Sequence, residues 1–234
     1  PGSSAMPCAA LARHARSADY SGAIGLRPDS MLAHLRRGET YRQRGELENA
    51  ARDFRRAAAL DPTATRPLEQ PGETLYALQR YKAAVDAYAA RLRLDDRSAV
   101  LRYKIGLAHY RDRNLDAALS ALTQATHQDD RLADVHYLMG MCLKEKARPA
   151  EAVAEFERAV ALSPGMIAAR EELADIYASR GRSAQEIEQL QMLSGLDNRI
   201  ERRMAVALAH ARAGHADLAV LTLSEPVPTG VEPA

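Results

Sequence analysis

Residues 31–64 read MLAHLRRGETYRQRGELENAARDFRRAAALDPTA, and their spacing decides the fold. The stretch divides at Gly45. Before it, Leu35, Gly38 and Tyr41 recur at helical steps. After it, Leu47, Ala50, Phe54, Ala57 and Leu60 recur every three or four residues, which puts their side chains on one face of a helix. Gly45 supplies the turn between the two helices, and Pro62 ends the second.

The pattern repeats every 34 residues. Gly38, Gly72, Gly106, Gly140 and Ala174 form one column, and Ala50, Ala84, Ala118 and Ala152 a second. Phe54, Tyr88, Leu122, Phe156 and Leu190 form a third. Pro28, Pro62 and Pro164 share a fourth with Asp96, Asp130 and Asn198. Small residues let two antiparallel helices approach closely, and large ones fill the gaps beside them. Neither helix of a pair can bury its apolar stripe alone, so neighbouring pairs must stack into a continuous core.

Composition agrees. The 234 residues are 47% hydrophobic and 27% charged, with no Trp and two Phe, which favours small-residue helix packing over sheet. A net charge of +1 argues against a general nucleic-acid or membrane-surface binder. No apolar run approaches the ~20 residues that span a bilayer. Cys8, in a loose N-terminus, and Cys142, in a helix, lie too far apart for a disulfide framework or a CxxC metal site. The opening PGSSA reads as a cloning remnant. A cytoplasmic location is expected, or a periplasmic one if a leader has been removed.

These columns resemble the tetratricopeptide repeat (TPR) family. Counting from Met31, the family pattern of small, aromatic, Ala, aromatic, Ala and Pro falls on Gly38, Tyr41, Ala50, Phe54, Ala57 and Pro62. Repeats from Ala133 and Ile167 fit closely, and the one from Ala99 less so, with His109 at the aromatic place. The resemblance implies an all-α, right-handed α-solenoid of antiparallel helix pairs. Full repeats are expected at 31–64, 65–98, 99–132, 133–166 and 167–199, with partial ones at 9–30 and 200–223. The sixth unit keeps Ala207, Gly214 and Ala219 but slips by one residue. Residues 1–8 read as a disordered start and the Pro-rich 224–234 as a tail or linker.

Pro67 and Pro71 fall in the first helix of the unit from Thr65. A proline inside a helix costs about 3 kcal/mol. The expected consequence is a short helix over about 71–79, or a kink at 67–71, read either as a tolerated defect or as a hinge.

The resemblance also implies that positions 2, 5, 9, 12 and 13 of each first helix line a concave groove, with 6 at its edge. These are Arg66, Glu69, Glu73 and Tyr76; then Tyr103, Lys104, Leu107, Tyr110 and Arg111; then Tyr137, Met141, Lys144 and Glu145; then Glu171, Glu172 and Asp175. The candidate peptide-binding residues are Tyr76, Tyr103, Lys104, Leu107, Tyr110, Arg111, Tyr137, Met141 and Lys144. An apolar floor with a basic edge suits a peptide carrying a hydrophobic anchor and some acidic character. The competing reading has Tyr103 and Tyr137 bracing the neighbouring helices. The Lys/Asn and Lys/Arg carboxylate clamp of chaperone-binding TPR domains is missing at these positions.

No nucleotide, serine-hydrolase or zinc-protease motif occurs, so neither an enzyme nor a cofactor is expected. His34 and His136 sit at position 4, a packing column, and read as satisfied imidazoles rather than ligands; His109 reads the same way. His210 and His215 flank the Gly214 turn with no third metal ligand in step. Leu218, Leu221 and Leu223 should be partly bare. Three functions stay open: a peptide-binding scaffold, a self-assembly module acting through terminal repeats, and the adaptor region of a larger enzyme or secretion-type assembly.

Overall fold

The first helix of the quoted stretch runs Met31–Gln43 (α2) and the second Leu47–Leu60 (α3). In the computed structural model the same pairing recurs along the chain, which is described over residues 8–197 and 199–224, the side chains of 8–14 and 65–68 excepted. Helix α1 spans Cys8–Leu26, so Cys8 opens a helix instead of lying in a loose segment. After α3 come α4 (Thr65–Ala77), α5 (Tyr81–Leu92), α6 (Ala99–Arg111) and α7 (Leu115–Thr126). These belong to one compact part, ending at Gln128. A second part, beginning at Asp129, holds α8 (Ala133–Glu145), α9 (Pro149–Leu162), α10 (Ile167–Ser179), α11 (Ser183–Leu196), α12 (Ile200–Arg212) and α13 (Ala216–Ser224). No strand occurs among the described residues, and no helix there is long and apolar enough to cross a membrane. The fold class is an all-α TPR solenoid. The expected start and tail at 1–7 and 225–234, and the column residue Asn198, lie outside the described residues.

Even-numbered helices, from α2 on, are the A helices of the repeats, and the odd-numbered ones after them the B helices. A helices begin at 31, 65, 99, 133, 167 and 200, so the period is 34 until the last step, where one residue is dropped. With each A helix's first residue as position 1, the turn into the B helix places one residue with positive φ at position 15. These are Gly45, Gln79, Arg113, Ala147, Gly181 and Gly214. Each closes the same pair of bonds on the A helix's end: Gly45 N to Arg42 O at 3.0 Å and Glu46 N to Tyr41 O at 2.9 Å, then Ala147 N to Lys144 O at 3.0 Å and Arg148 N to Leu143 O at 2.9 Å. The bonds satisfy carbonyls that the helix end leaves without partners.

The glycine column is a contact surface. A Cβ added to Gly38 would lie 2.7 Å from Phe54, and one on Gly140 only 2.5 Å from Phe156. Gly72 meets Tyr88, and Gly106 meets Leu122, as closely. Phe54, Leu122 and Phe156 are completely buried, each contributing roughly 2–3 kcal/mol by removal from water.

A second device joins repeats through position 4. His34 Nε2 lies 3.1 Å from the Pro28 carbonyl, six residues back, and its Nδ1 3.3 Å from Asp53 at position 23. His136 does the same with the Asp130 carbonyl at 3.1 Å and Glu155 at 2.8 Å. Arg170 donates to the Pro164 carbonyl and to Gln189, both at 2.9 Å. Arg203 donates to the backbone carbonyl of Thr222, again position 23, at 2.8 Å. The histidines at position 4 are thus held by protein acceptors on both ring nitrogens.

Of the two expected outcomes, the short helix over about 71–79 is not what forms. Helix α4 starts at Thr65 and continues through Pro71 to Ala77. The reason is tertiary. Pro71 is buried at position 7, the place Leu173 takes in α10, and Gly72 seats against Tyr88. Thr74, almost fully buried, returns a hydroxyl hydrogen bond to the Gln70 carbonyl at 2.9 Å. Register with the neighbouring helices outweighs one lost backbone bond.

Candidate functional site

In the first part, the candidate face is built from α4 and α6. Position 9 follows position 5 by about one turn, and 12 and 13 complete the stripe. Tyr76, Tyr103, Lys104, Leu107 and Tyr110 are all half-buried, and Arg111 is exposed. The structure brings Lys104 against two carboxylates of the preceding A helix: its Nζ lies 2.5 Å from Glu69 and 2.5 Å from Glu73. It also sits 6.0 Å over the buried Tyr88 ring. Burial opposes the ammonium's charge, but the bonds to Glu69 and Glu73 outweigh it and hold the lysine above its usual range. Burial, with the same two carboxylates, pushes the Tyr88 hydroxyl far above the ordinary tyrosine value. Arg111 Nε donates to the Tyr76 hydroxyl at 3.2 Å, and the Tyr76 ring meets Tyr81 edge-on, centroids 5.4 Å apart.

In the second part, α8 carries Tyr137, Met141 and Lys144. The Tyr137 ring leans on Phe156 with centroids 5.8 Å apart, so one of its faces braces its own repeat. Burial, then the charges of Glu172 and Glu171, raise its hydroxyl's pKa. Lys144 pairs with Glu172, and Arg202 pairs with Glu171. Lys104 and Lys144, which form the basic edge expected from the sequence, are therefore both engaged by carboxylates. What they leave on α6 is aromatic and aliphatic, and the same is true of α8 in its own part.

Two features escaped the residue-by-residue reading. The first is an apolar stripe on α12, where Ile200, Met204 and Leu208 are each more than half exposed at steps of four. With Ala207, Ala211, Ala219 and Leu223 the last two wall an apolar cleft of about 480 Å³ between α12 and α13. The signal was present, but the one-residue slip moves positions 5 and 9 onto Met204 and Leu208. The second is Glu186, which takes the alanine place at position 20, is buried, and pairs with Arg212.

No other chemistry gathers. His210 and His215 lie 5.9 Å apart ring to ring, and among the described residues no three metal-ligating side chains converge. Burial pushes the free Cys142 thiol up to about 12, which keeps it a packing group.

Family models described as tetratricopeptide repeat match residues 31–64 and, in two overlapping stretches, 103–167 and 137–197. Among curated proteins, the chain is similar to small glutamine-rich tetratricopeptide repeat-containing protein 2 of Mycosarcoma maydis. It is 30% identical over 107 residues, covering 46% of this chain and 30% of that protein. It is also similar to BBSome complex member BBS4 of Bos taurus, 26% identical over 125 residues, 53% of this chain and 24% of that protein. The chain thus spans under a third of the length of either relative. Among solved structures it is similar in fold to YrrB, described as a TPR protein with an unusual peptide-binding site. The TM-score is 0.61 at 21% identity, over 83% of this chain and 97% of that one. MamA is similar with a TM-score of 0.66 at 20% identity, over 73% and 93%.

Proposed function

Since the chain belongs to the tetratricopeptide repeat family, we propose that this protein-interaction scaffold works without catalysis, holding a partner's peptide segment on the face of α6. The observation that carries this is the half-buried aromatic and aliphatic row Tyr103, Leu107 and Tyr110 on α6; in the other part, taken by itself, α8 holds Tyr137 and Met141 half-buried as well. Large side chains held part-way out of the core are the material of binding hot spots. Lys104 and Lys144 are already engaged by Glu69, Glu73 and Glu172, so the partner's acidic groups are secondary and its hydrophobic anchor is what is read. Support for a peptide ligand also comes from YrrB, whose description names a peptide-binding site.

The test is a pull-down from native lysate followed by peptide-array mapping of the captured partner. Tyr103→Ala and Leu107→Ala should each weaken binding about tenfold, the loss of roughly 1.4 kcal/mol. Unchanged affinity in both would remove the site assignment.

The cleft between α12 and α13 favours a second reading, self-association. In the preceding repeats of this part, α10 and α12 pack as the next A helices onto the helices before them. The same apolar stacking surface continues at Met204, Leu208 and Leu223, and a second copy would cover it. Light scattering should then show mass rising with concentration, and Leu208→Asp should abolish the rise.

A further inference from the structure

Position 4 of the third repeat lacks the second partner that its counterparts have. His34, His136, Arg170 and Arg203 each reach position 23 of their own B helix: Asp53, Glu155, Gln189 and the Thr222 carbonyl. Arg102 makes only the first half of this arrangement. Its Nη1 donates to the Asp96 carbonyl at 2.6 Å, six residues back, as the column requires. Position 23 here is Ala121, which offers no side-chain acceptor. Arg102 Nε is consequently buried with no hydrogen-bond partner, and Arg102 forms no ion pair among the described residues. The second repeat solves the same problem by having Leu68 and Ala87 at these two places, so no charge is left over. An unpaired donor of a charged group held out of water is costly, and such groups are ordinarily satisfied.

The space beside this guanidinium is a pocket. Arg102 of α6, Thr123 and Gln124 of α7, and His127 and Gln128 just after it line a pocket of about 260 Å³. Gln128 Nε2 is already committed to the Asp96 carbonyl at 3.0 Å, which fixes that wall. The Thr123 hydroxyl, the Gln124 amide and the His127 ring can each donate to an oxygen. No carboxylate side chain lines the pocket.

We propose that this pocket binds an oxyanion, which supplies Arg102 with the acceptor that Asp53, Glu155 and Gln189 supply to position 4 in the sister repeats. The ligand is a carboxylate or phosphate oxygen pair facing the guanidinium, in the geometry that arginine favours. It arrives either as a small free anion or as the acidic side chain of a bound protein. The site is separate from the row on α6, because position 4 is none of the positions that form that row.

The experiment uses the full chain. Its melting temperature is followed while sodium phosphate replaces sodium chloride at constant ionic strength, and in parallel with a capped Gly-Glu-Gly peptide against its Gly-Gln-Gly analogue. A ligand that binds only the folded state raises the melting temperature along a saturable curve. A saturable rise of a few degrees with phosphate assigns a small anion; a rise with the Glu peptide alone assigns a partner's side chain. Arg102→Leu copies the Leu68/Ala87 solution of the second repeat and should lose the response. Ala121→Glu should lose it as well while raising the starting melting temperature, because the internal carboxylate then fills the site. No saturable rise in the parent chain, or the same rise in both variants, overturns the proposal.

Discussion

Gln79, Arg113 and Ala147 hold left-handed backbone at the turn where Gly45, Gly181 and Gly214 stand in the other repeats. An L-residue is disfavoured there by roughly 1–2 kcal/mol. The two backbone bonds closing each turn hold the strained residue in place. Ala147→Gly should therefore stabilise the protein by about 0.5–1 kcal/mol, after allowing for glycine's larger entropy loss on folding. Urea denaturation measures this; a loss of stability would mean that the turn is not strained. The opposite substitution meets the opposite fate in the glycine column. Gly140→Ala would set a methyl 2.5 Å from a fully buried Phe156 ring. The expected cost is about 1–3 kcal/mol from overpacking, and a neutral result in the same denaturation assay would contradict the close approach.

At the scale of the element, α4 shows packing overruling local preference. A proline in the seventh position of a helix argues for a late start, yet the helix begins at Thr65. Pro71 lies in the core column beside Gly72, and the Tyr88 contact fixes where the helix must sit. Leu, as at position 7 in α10, would fill the same column and restore the missing N–H. Pro71→Leu should raise stability by about 1–3 kcal/mol, less the contribution proline makes by restricting the unfolded chain. Helicity by circular dichroism should stay level or rise. A destabilised variant would show that the proline ring packs in the column better than leucine does. Helix α12 makes a related point. One missing residue before it shifts every position: strict phase would set Leu208 in the small-residue column, whereas the helix buries Ala207 there and leaves Ile200, Met204 and Leu208 as an exposed row.

Across the whole molecule, helices within each part pack against those next to them in sequence, so stability is a sum of local terms. Damage should stay local too. In native-state hydrogen exchange, Gly140→Ala should lower protection in α8, α9 and α10 while leaving α2 and α3 unchanged. A uniform loss throughout the chain would mean a single cooperative unit. The repeat, its helix pairs and the buried Phe54, Leu122 and Phe156 were readable in the chain itself, because a 34-residue period in residue size translates directly into which faces must meet. Position 4 was readable as a packing column, and His34 and His136 sit there as expected, with both ring nitrogens facing acceptors. Charge pairing was not. Glu69, Glu73 and Lys104 are 31 to 35 residues apart, and only the stacking of one A helix on the next brings them to 2.5 Å. The same holds for the orphaned nitrogen of Arg102 and for the continuous course of α4. A repeat states which residue types belong on each face, but long side chains choose partners only after the helices are docked, since their reach is comparable with the distance between neighbouring helices.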